Sequence, residues 1–356
     1  MKRLTTVLAV TFAVMLGLAM TAGAQSQKKA YKMFGVGFYN LENLFDTIPN
    51  NPLGRDLEFT PGGKNDWTGT RYWSKISNLA RAISAMTTKT TPNGPAILGV
   101  SEIENVTVLN DLVNDPQIKK WGLKVVHHDS PDRRGVDVGL LYNPRYFEVV
   151  NVTNHTLSVE SNPRFRTRDQ MCVVGLLDRE PLAIIVNHWP SRLGGQKQSE
   201  YLREAAAALS KHIADSLWAV DPSMGVIVMG DLNDDPQDPA VAKVLGGKKD
   251  ISTVAPHDFY NPWWKILEDD GVGTLAYKGA WNLFDQIILS GNLLTGNLST
   301  GLEFSRAKVN NYDFLITKEG SRKGYPHRTF ASGVYLNGYS DHFPTMVLLK
   351  KTVMVK

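Results

Sequence analysis

A single cysteine, Cys172, stands in a chain of 356 residues. It cannot form an intramolecular disulfide, so outside a reducing compartment the chain must rely on its core. Within the apolar run Met171-Cys172-Val173-Val174 it reads as a small core residue rather than a nucleophile. The sequence has no CxxC, no HExxH and no pair of histidines at helical spacing, so a zinc site lacks support. It also has no GxxxxGK[ST] loop, no GxGxxG fingerprint and no GxSxG elbow. These absences argue against NTPase, dinucleotide-binding and serine-hydrolase chemistry. Charge of one sign is scarce as well, with 39 Lys and Arg against 35 Asp and Glu. Tight nucleic-acid binding needs a concentrated basic surface, which this balance does not advertise. A nuclease that holds its substrate only briefly remains open.

Long apolar runs are missing beyond residue 24. Before it, Lys2 and Arg3 lead an almost wholly apolar stretch, 5–20, and Ala22-Gly23-Ala24 precedes Gln25. That pattern predicts a signal peptide over 1–24. The alternative is a transmembrane anchor, for which about 20 apolar residues suffice. The A-x-A ending and the polar Gln25-Ser26-Gln27-Lys28-Lys29 favour cleavage. With no cysteine near the cut, a lipoprotein is not indicated. Without Lys2 and Arg3 the basic residues fall from 39 to 37, against 35 acidic ones. The expected product is a single domain, 25–356, exported to the periplasm or beyond the cell, with no stable membrane anchor. Its oligomeric state stays open.

Short apolar runs at 33–39, 95–100, 136–142, 182–186, 225–229, 286–289 and 345–349 read as strands. Ile76, Leu79, Ala80, Ile83 and Met86 keep helical spacing, as do Leu202, Ala206, Leu209, Ile213 and Leu217. Strands and helices interleave without a linker, which points to an α/β domain with layered sheets and helices outside. Two stretches, 45–69 and 234–279, are long and irregular. Such insertions serve as binding loops or as plain surface elaboration.

The distinctive pattern lies where the strands stop. Gly35-Val36-Gly37-Phe38-Tyr39 ends at Asn40, and Ile97-Leu98-Gly99-Val100 ends at Ser101-Glu102. Ile184-Ile185-Val186 ends at Asn187-His188, and Val226-Ile227-Val228-Met229 ends at Gly230-Asp231-Leu232-Asn233. Asp285 precedes a further strand, and Ser340-Asp341-His342 precedes the last one. Any one of these is an ordinary cap or turn. Six together supply the oxygen ligands that a hard divalent ion prefers, with histidines beside them.

In this order, the motifs resemble the endonuclease/exonuclease/phosphatase superfamily. The resemblance runs from Phe38 to Pro344, and Phe38-Tyr39-Asn40-Leu41-Glu42-Asn43-Leu44-Phe45-Asp46 and His188-Trp189-Pro190-Ser191-Arg192 are similar to exported bacterial members. It implies a four-layer α/β sandwich, two packed mixed β-sheets flanked by helices, with the site at one edge. By position it implies Glu102 as principal metal ligand, with Asn40 and Asp341 near the metal, and Mg²⁺, Mn²⁺ or Ca²⁺ as the ion. Asp231 then orients or deprotonates water, and Asn233 and Asn40 contact the phosphate. His342 bonds a phosphate oxygen, held by Asp285. His188 stabilises developing charge or protonates the leaving oxygen. Cation and histidine donors aimed at charge that grows on phosphate oxygens lower such a barrier.

One departure stands out. Several nuclease relatives carry Lys or Arg two residues after the metal glutamate, where this chain has Glu104. Arg166, Arg168 and Arg192 are the candidate replacements, with Arg192 taken as substrate-binding, and Asp137 is a candidate partner for His188. The implied activity is metal-dependent phosphodiester hydrolysis, with extracellular nucleic acid as the leading substrate. A small phosphoester or a phospholipid headgroup is the alternative, and a non-catalytic binding module keeping the fold is the other.

Overall fold

In the computed structural model, which describes residues 28–51, 53–295 and 301–355, the apolar runs become inner strands of two sheets. The expected leader, 1–24, lies outside the described residues. The strands are β1 (Lys28–Leu44), β2 (Ile97–Ile103), β3 (Lys124–His127), β4 (Asp137–Tyr142), β5 (Phe147–His155) and β6 (Gln170–Leu177). There follow β7 (Glu180–His188), β8 (Gly225–Asp231), β9 (Gly247–Lys248), β10 (Phe259–Tyr260), β11 (Leu275–Tyr277) and β12 (Ala280–Asn282). The last are β13 (Asp285–Ser290), β14 (Leu302–Val309), β15 (Phe330–Ala331), β16 (Val334–Tyr335) and β17 (Thr345–Val355). One sheet runs β14-β17-β1-β2-β4-β3, the other β5-β6-β7-β8-β13-β10-β9, and both mix parallel and antiparallel pairs. Met33–Lys351 forms one compact unit; the described ends, 28–32 and 352–355, belong to a second.

Burial on both faces explains why these strands read as unbroken apolar runs. In β8, Ile227 and Met229 join the core between the sheets, while Val226 and Val228 face the helix α3 (Gln196–Val220). In the first sheet, Phe38 pairs with Gly99 and Gly37 with Leu98. Gly99 faces Met229 of the second sheet; a Cβ there would lie 2.5 Å from its Sδ. Gly37 faces the other way, onto Met86 just past α1 (Gly69–Ser84), and Gly139 of β4 faces Leu109 of α2 (Val106–Val113). The order is therefore helix, sheet, sheet, helix, the four-layer sandwich implied by the sequence motifs.

The helices start where local chemistry allows. Asn105 accepts from the Thr107 and Val108 amides at 2.8 and 3.2 Å, satisfying two donors that open α2. Helix α3 is pinned to the loop after β8 by Arg203, fully buried, whose Nε lies 2.6 Å from Asp234 Oδ1. Cys172 is buried in the cluster beneath α3, and burial pushes its thiol up to about 11. The irregular stretch 45–69 closes on aromatic rings instead of a period. Phe45 stacks on Phe59 at 4.3 Å, and Trp67 Nε1 donates to the Phe45 carbonyl at 3.0 Å.

Candidate active site

Strand register assembles half of the site. In the second sheet, His188 pairs with Asp231 across parallel strands, and Asp285 pairs with Asp231 across antiparallel ones. Directly paired residues share a face, so the three side chains form one row. Asn187, one position earlier, turns away and accepts from Trp189 Nε1 at 3.1 Å. It is a structural residue. The other half comes from the first sheet, where β1 and β2 run parallel into irregular ends. Glu42, Asn43 and Glu102 have φ of +49°, +50° and +60°, and Asn233 has +51°. A left-handed backbone costs a non-glycine residue about 1–2 kcal/mol. Such strain tends to gather at functional sites. Here it turns Glu102 out of the ladder with β4, whose register breaks between Ser101 and Ile103.

The two halves meet through hydrogen bonds. Asn40 Nδ2 donates to Asp231 Oδ2 at 3.0 Å, and Asp285 Oδ2 bonds His342 Nδ1 at 2.6 Å. His342 Nε2 lies 3.9 Å from Asp231 Oδ2 and 4.0 Å from Asp341 Oδ1. His188 Nε2 lies 3.5 Å from Asp231 Oδ2 and 3.9 Å from Glu102 Oε1. Asn233 donates its amide N–H to Asp231 Oδ1 at 3.0 Å and its side chain to the Trp189 carbonyl at 3.0 Å. Ser340 Oγ donates to the Asn40 carbonyl at 2.7 Å and accepts from the His342 amide at 3.1 Å. Eight residues named from the sequence thus converge: Asn40, Glu102, His188, Asp231, Asn233, Asp285, Asp341 and His342.

Burial and charge separate the two histidines. Burial opposes charge on His342, but Asp285, Asp341 and Asp231 outweigh it and hold the imidazole well above its ordinary value. His188 is held well below, first by burial and then by the cations Arg168, Arg134 and His342. The two rings are pushed in opposite directions, His342 toward the cation and His188 toward the neutral form. Burial also pushes Asp231 up to about 6; His342 opposes the shift, and Asp285 and Glu102 add to it.

Other residues stand differently from the sequence reading. Arg192 gives Nε to the Asn233 carbonyl at 2.9 Å and meets Asp234, Asp235 and Asp238 at 3.3, 3.4 and 2.6 Å. Its contacts position the Asn233 loop. Arg168 is buried and donates to the His188 and Trp189 carbonyls at 3.0 and 2.6 Å, so it too positions a strand end of the candidate site. Arg166 donates to nearby carbonyls, at Pro163 and Phe165. Asp137 is not the partner of His188: it binds His127 Nε2 at 3.0 Å and the Ser130 amide at 2.8 Å. The register puts Asp137 opposite Ile103 and His127 opposite Gly139. Glu104 accepts from the Asp46 amide at 2.9 Å, and burial, with Asp46 and Asp56 adding, pushes it up to about 8. It fastens a loop.

Two arginines escaped sequence reasoning. Arg134 places both terminal nitrogens 3.2 Å from Glu102 Oε1, and Arg328 places one 2.7 Å from Asp341 Oδ2. Only the Arg133-Arg134-Gly135 turn hinted at the first, and nothing local hinted at the second. Glu42, beside Asn40, is fully enclosed by Lys75 at 3.8 Å, Arg328 at 3.5 Å and the Thr329 amide at 2.6 Å. Among the described residues, two clusters bring metal-ligating atoms within 4.8 Å of one another: Asp231, Asp285 and His342, and, apart from the site, His127, Asp129 and Asp137.

Comparison with known proteins agrees with this geometry. The family model described as "Endonuclease/Exonuclease/phosphatase family" matches residues 35–351. The chain belongs to that family, and it is a metal-dependent hydrolase of phosphoester bonds. No curated protein matches it in sequence. Among solved structures it is similar to truncated TDP2 of Caenorhabditis elegans, with 17% identity and a TM-score of 0.52, covering 89% of this chain and 97% of that one. A Bacteroides thetaiotaomicron family protein gives 16% identity and 0.53, covering 92% and 97%. D. rerio TDP2, solved with a single-strand DNA product, gives 12% and 0.53, covering 89% and 98%. At such identities these likenesses establish the fold alone.

Proposed function

We propose that this family member cleaves phosphodiester bonds of nucleic acid outside the cytoplasm, after losing residues 1–24, using Mg²⁺ or Mn²⁺. The observation that carries the chemistry is the buried row His188, Asp231 and Asp285, bonded to Asn40 and His342 from the other sheet. The DNA product bound to the D. rerio relative supports the substrate class.

The residues suit a hard cation. Glu102 and Asp341 are carboxylates whose present partners, Arg134 and Arg328, have side chains 48% and 28% exposed and are free to exchange for an ion. Asn40 adds an amide oxygen with a second lone pair. By contrast, Asp231 and Asp285 already have His342 as counter-charge. Glu102, Asp341 and Asn40 are therefore the residues that would hold the ion. When bound, it supplies positive charge beside the phosphate oxygens.

The chain's own groups do the rest. Asp231, pushed toward neutrality, is a better base than an ordinary aspartate and accepts the proton of the attacking water. His342, cationic and oriented through Nδ1 by Asp285, offers Nε2–H to the phosphate and is the proton source for the leaving oxygen. His188, neutral, contributes a hydrogen bond rather than a charge. With Glu102 given over to an ion, Arg134 would be the guanidinium at hand for the phosphate, in the role that Glu104 cannot fill.

The test is hydrolysis of bis-(p-nitrophenyl) phosphate, single-stranded oligonucleotide and plasmid by the chain from Gln25, with Mg²⁺ or Mn²⁺ and with EDTA. Cleavage of all three, abolished by EDTA, is expected. Turnover of inositol phosphates or sphingomyelin but not of nucleic acid would reassign the substrate and keep the chemistry. Cell fractionation with N-terminal sequencing checks export, which predicts Gln25 as first residue.

A further inference from the structure

A cleft of about 590 Å³ opens beside Asp341 and Arg328 and runs under the β11–β12 hairpin. Its size falls within the range of about 300–1,000 Å³ typical of small-molecule sites. Three arginines line it, and two are already engaged: Arg328 with Asp341, and Arg192 with three carboxylates and the face of Phe284 at 4.4 Å. The third, Arg322, is half-buried at the end of a 3₁₀ turn and has no partner among the described residues. One uncommitted guanidinium accommodates one anionic group.

The walls favour a flat ring. Tyr277 is 64% exposed, with Lys278 Nζ 5.3 Å from the centroid over one side of its ring and the opposite side left for a ligand, and Tyr325, in T-shaped contact with Trp281 at 5.7 Å, adds a second ring to the wall. Tyr277 is not carried by a slack loop. It ends β11, and the two residues of the turn, Lys278 and Gly279, have φ of +49° and +86°. Positive φ at both positions is the signature of the tight hairpin turn that matches strand twist. The ring is therefore presented ready-placed, at little ordering cost on binding.

We infer that this cleft receives the nucleotide joined to the scissile phosphate, its base against Tyr277 and Tyr325 and its next phosphate on Arg322. The inference deepens the nuclease reading and rests on it. A phosphate group alone would use the guanidinium and leave the rings idle. A nucleotide uses both, because every base has a face to stack and a phosphate at fixed reach.

The experiment compares wild type, Tyr277→Ala, Tyr277→Phe and Arg322→Ala on a single-stranded oligonucleotide and on copies abasic at the residue on one or the other side of the cleaved bond. Tyr277→Ala should raise KM for the intact strand about ten-fold, with a smaller change in kcat, and Tyr277→Phe should restore it. Wild type on one of the two abasic strands should show the same rise, and Tyr277→Ala no further rise on it. Arg322→Ala should weaken binding in EDTA, read by fluorescence anisotropy, and lower the slope of log Kd against log salt by about 0.7. An unchanged KM for Tyr277→Ala, or an unchanged salt slope for Arg322→Ala, in folded variants overturns the inference while the nuclease reading survives. If wild type cleaves bis-(p-nitrophenyl) phosphate but no strand, both fall together.

Discussion

Asp231 and Asp285 stand directly opposite one another across the antiparallel pair β8–β13, both buried, with His342 as their shared counter-charge. Two carboxylates this close cannot both be comfortable as anions without a cation. The imidazolium settles the arrangement, and the proposed division of labour follows from it: Asp285 keeps His342 charged, and Asp231 is the base of the proposed mechanism.

Asp285→Asn should lower kcat on the order of 10²-fold, the range of a lost acid–base or orienting contact. It should also move the alkaline limb of the kcat–pH profile to lower pH, since Asp285 is the largest influence raising His342. A folded pKa above the unfolded value stabilises the protein below about pH 6.5, and that contribution disappears as pH rises through the folded pKa. The melting-temperature gap between wild type and variant should therefore narrow as pH rises. A gap that widens instead would show that Asp285 does not hold the cation.

In the proposed mechanism both histidines act on charge that grows in the transition state, so His188→Ala and His342→Ala should each reduce kcat more than they raise KM. The double variant should lose less than the product of the single losses. Near-normal kcat in both single variants would remove this site altogether.

Glu102→Gln tests the cation. Wild type should melt higher in Mn²⁺ than in EDTA, by mass action on the folded state, and the variant should show little of that rise. Glu102→Gly, which relieves the left-handed backbone at φ +60°, should be inactive yet fold at least as stably as Glu102→Gln. An equal Mn²⁺-induced shift in Glu102→Gln and wild type would move the ligand assignment elsewhere.

Lys75 and Glu42 form a fully buried pair at 3.8 Å, and Lys75 also donates to Thr329 Oγ1 at 2.5 Å and the Tyr339 carbonyl at 2.6 Å. Breaking a buried pair from one side costs about 3–5 kcal/mol, whereas replacing both partners costs far less. Denaturant melts should show Lys75→Met much less stable than Lys75→Met/Glu42→Gln. Additive losses would mean that the two charges do not interact.

Cys172 should resist iodoacetamide at pH 8 in the folded protein and react once unfolded, because burial holds its thiol near 11. Fast modification of the native chain would contradict its place beneath α3.

Most of the frame was legible because fully buried strands announce themselves as apolar runs, as β2, β7 and β8 do. Strand β5 was not, because its residues are largely exposed and half-exposed, and neither period nor apolar density marks it. The polar strand ends marked the eight converging residues, since each lies at a strand end or in the few residues beside one. The arginines were beyond reach for the opposite reason. Arg134 reaches Glu102 from 32 positions away, and Arg328 reaches Asp341 from 13. Such partnerships arise from how loops fold back, which no local pattern encodes. The same holds for Asp137, whose neighbour is decided by strand register.

Gly99 faces Met229 between the two sheets, with no room for a Cβ. The reacting groups are divided between those same sheets, and the bonds Asn40–Asp231 and His342–Asp285 span the division. The spacing of the layers is thus a dimension that turnover measures, and the core between them acts as its gauge block. A methyl group at position 99, three residues or about 10 Å up the strand from Glu102, changes that setting without touching a reacting atom. Its signature is a fall in kcat while the fold stays cooperative, and hydrostatic pressure should tune the same dial in wild type.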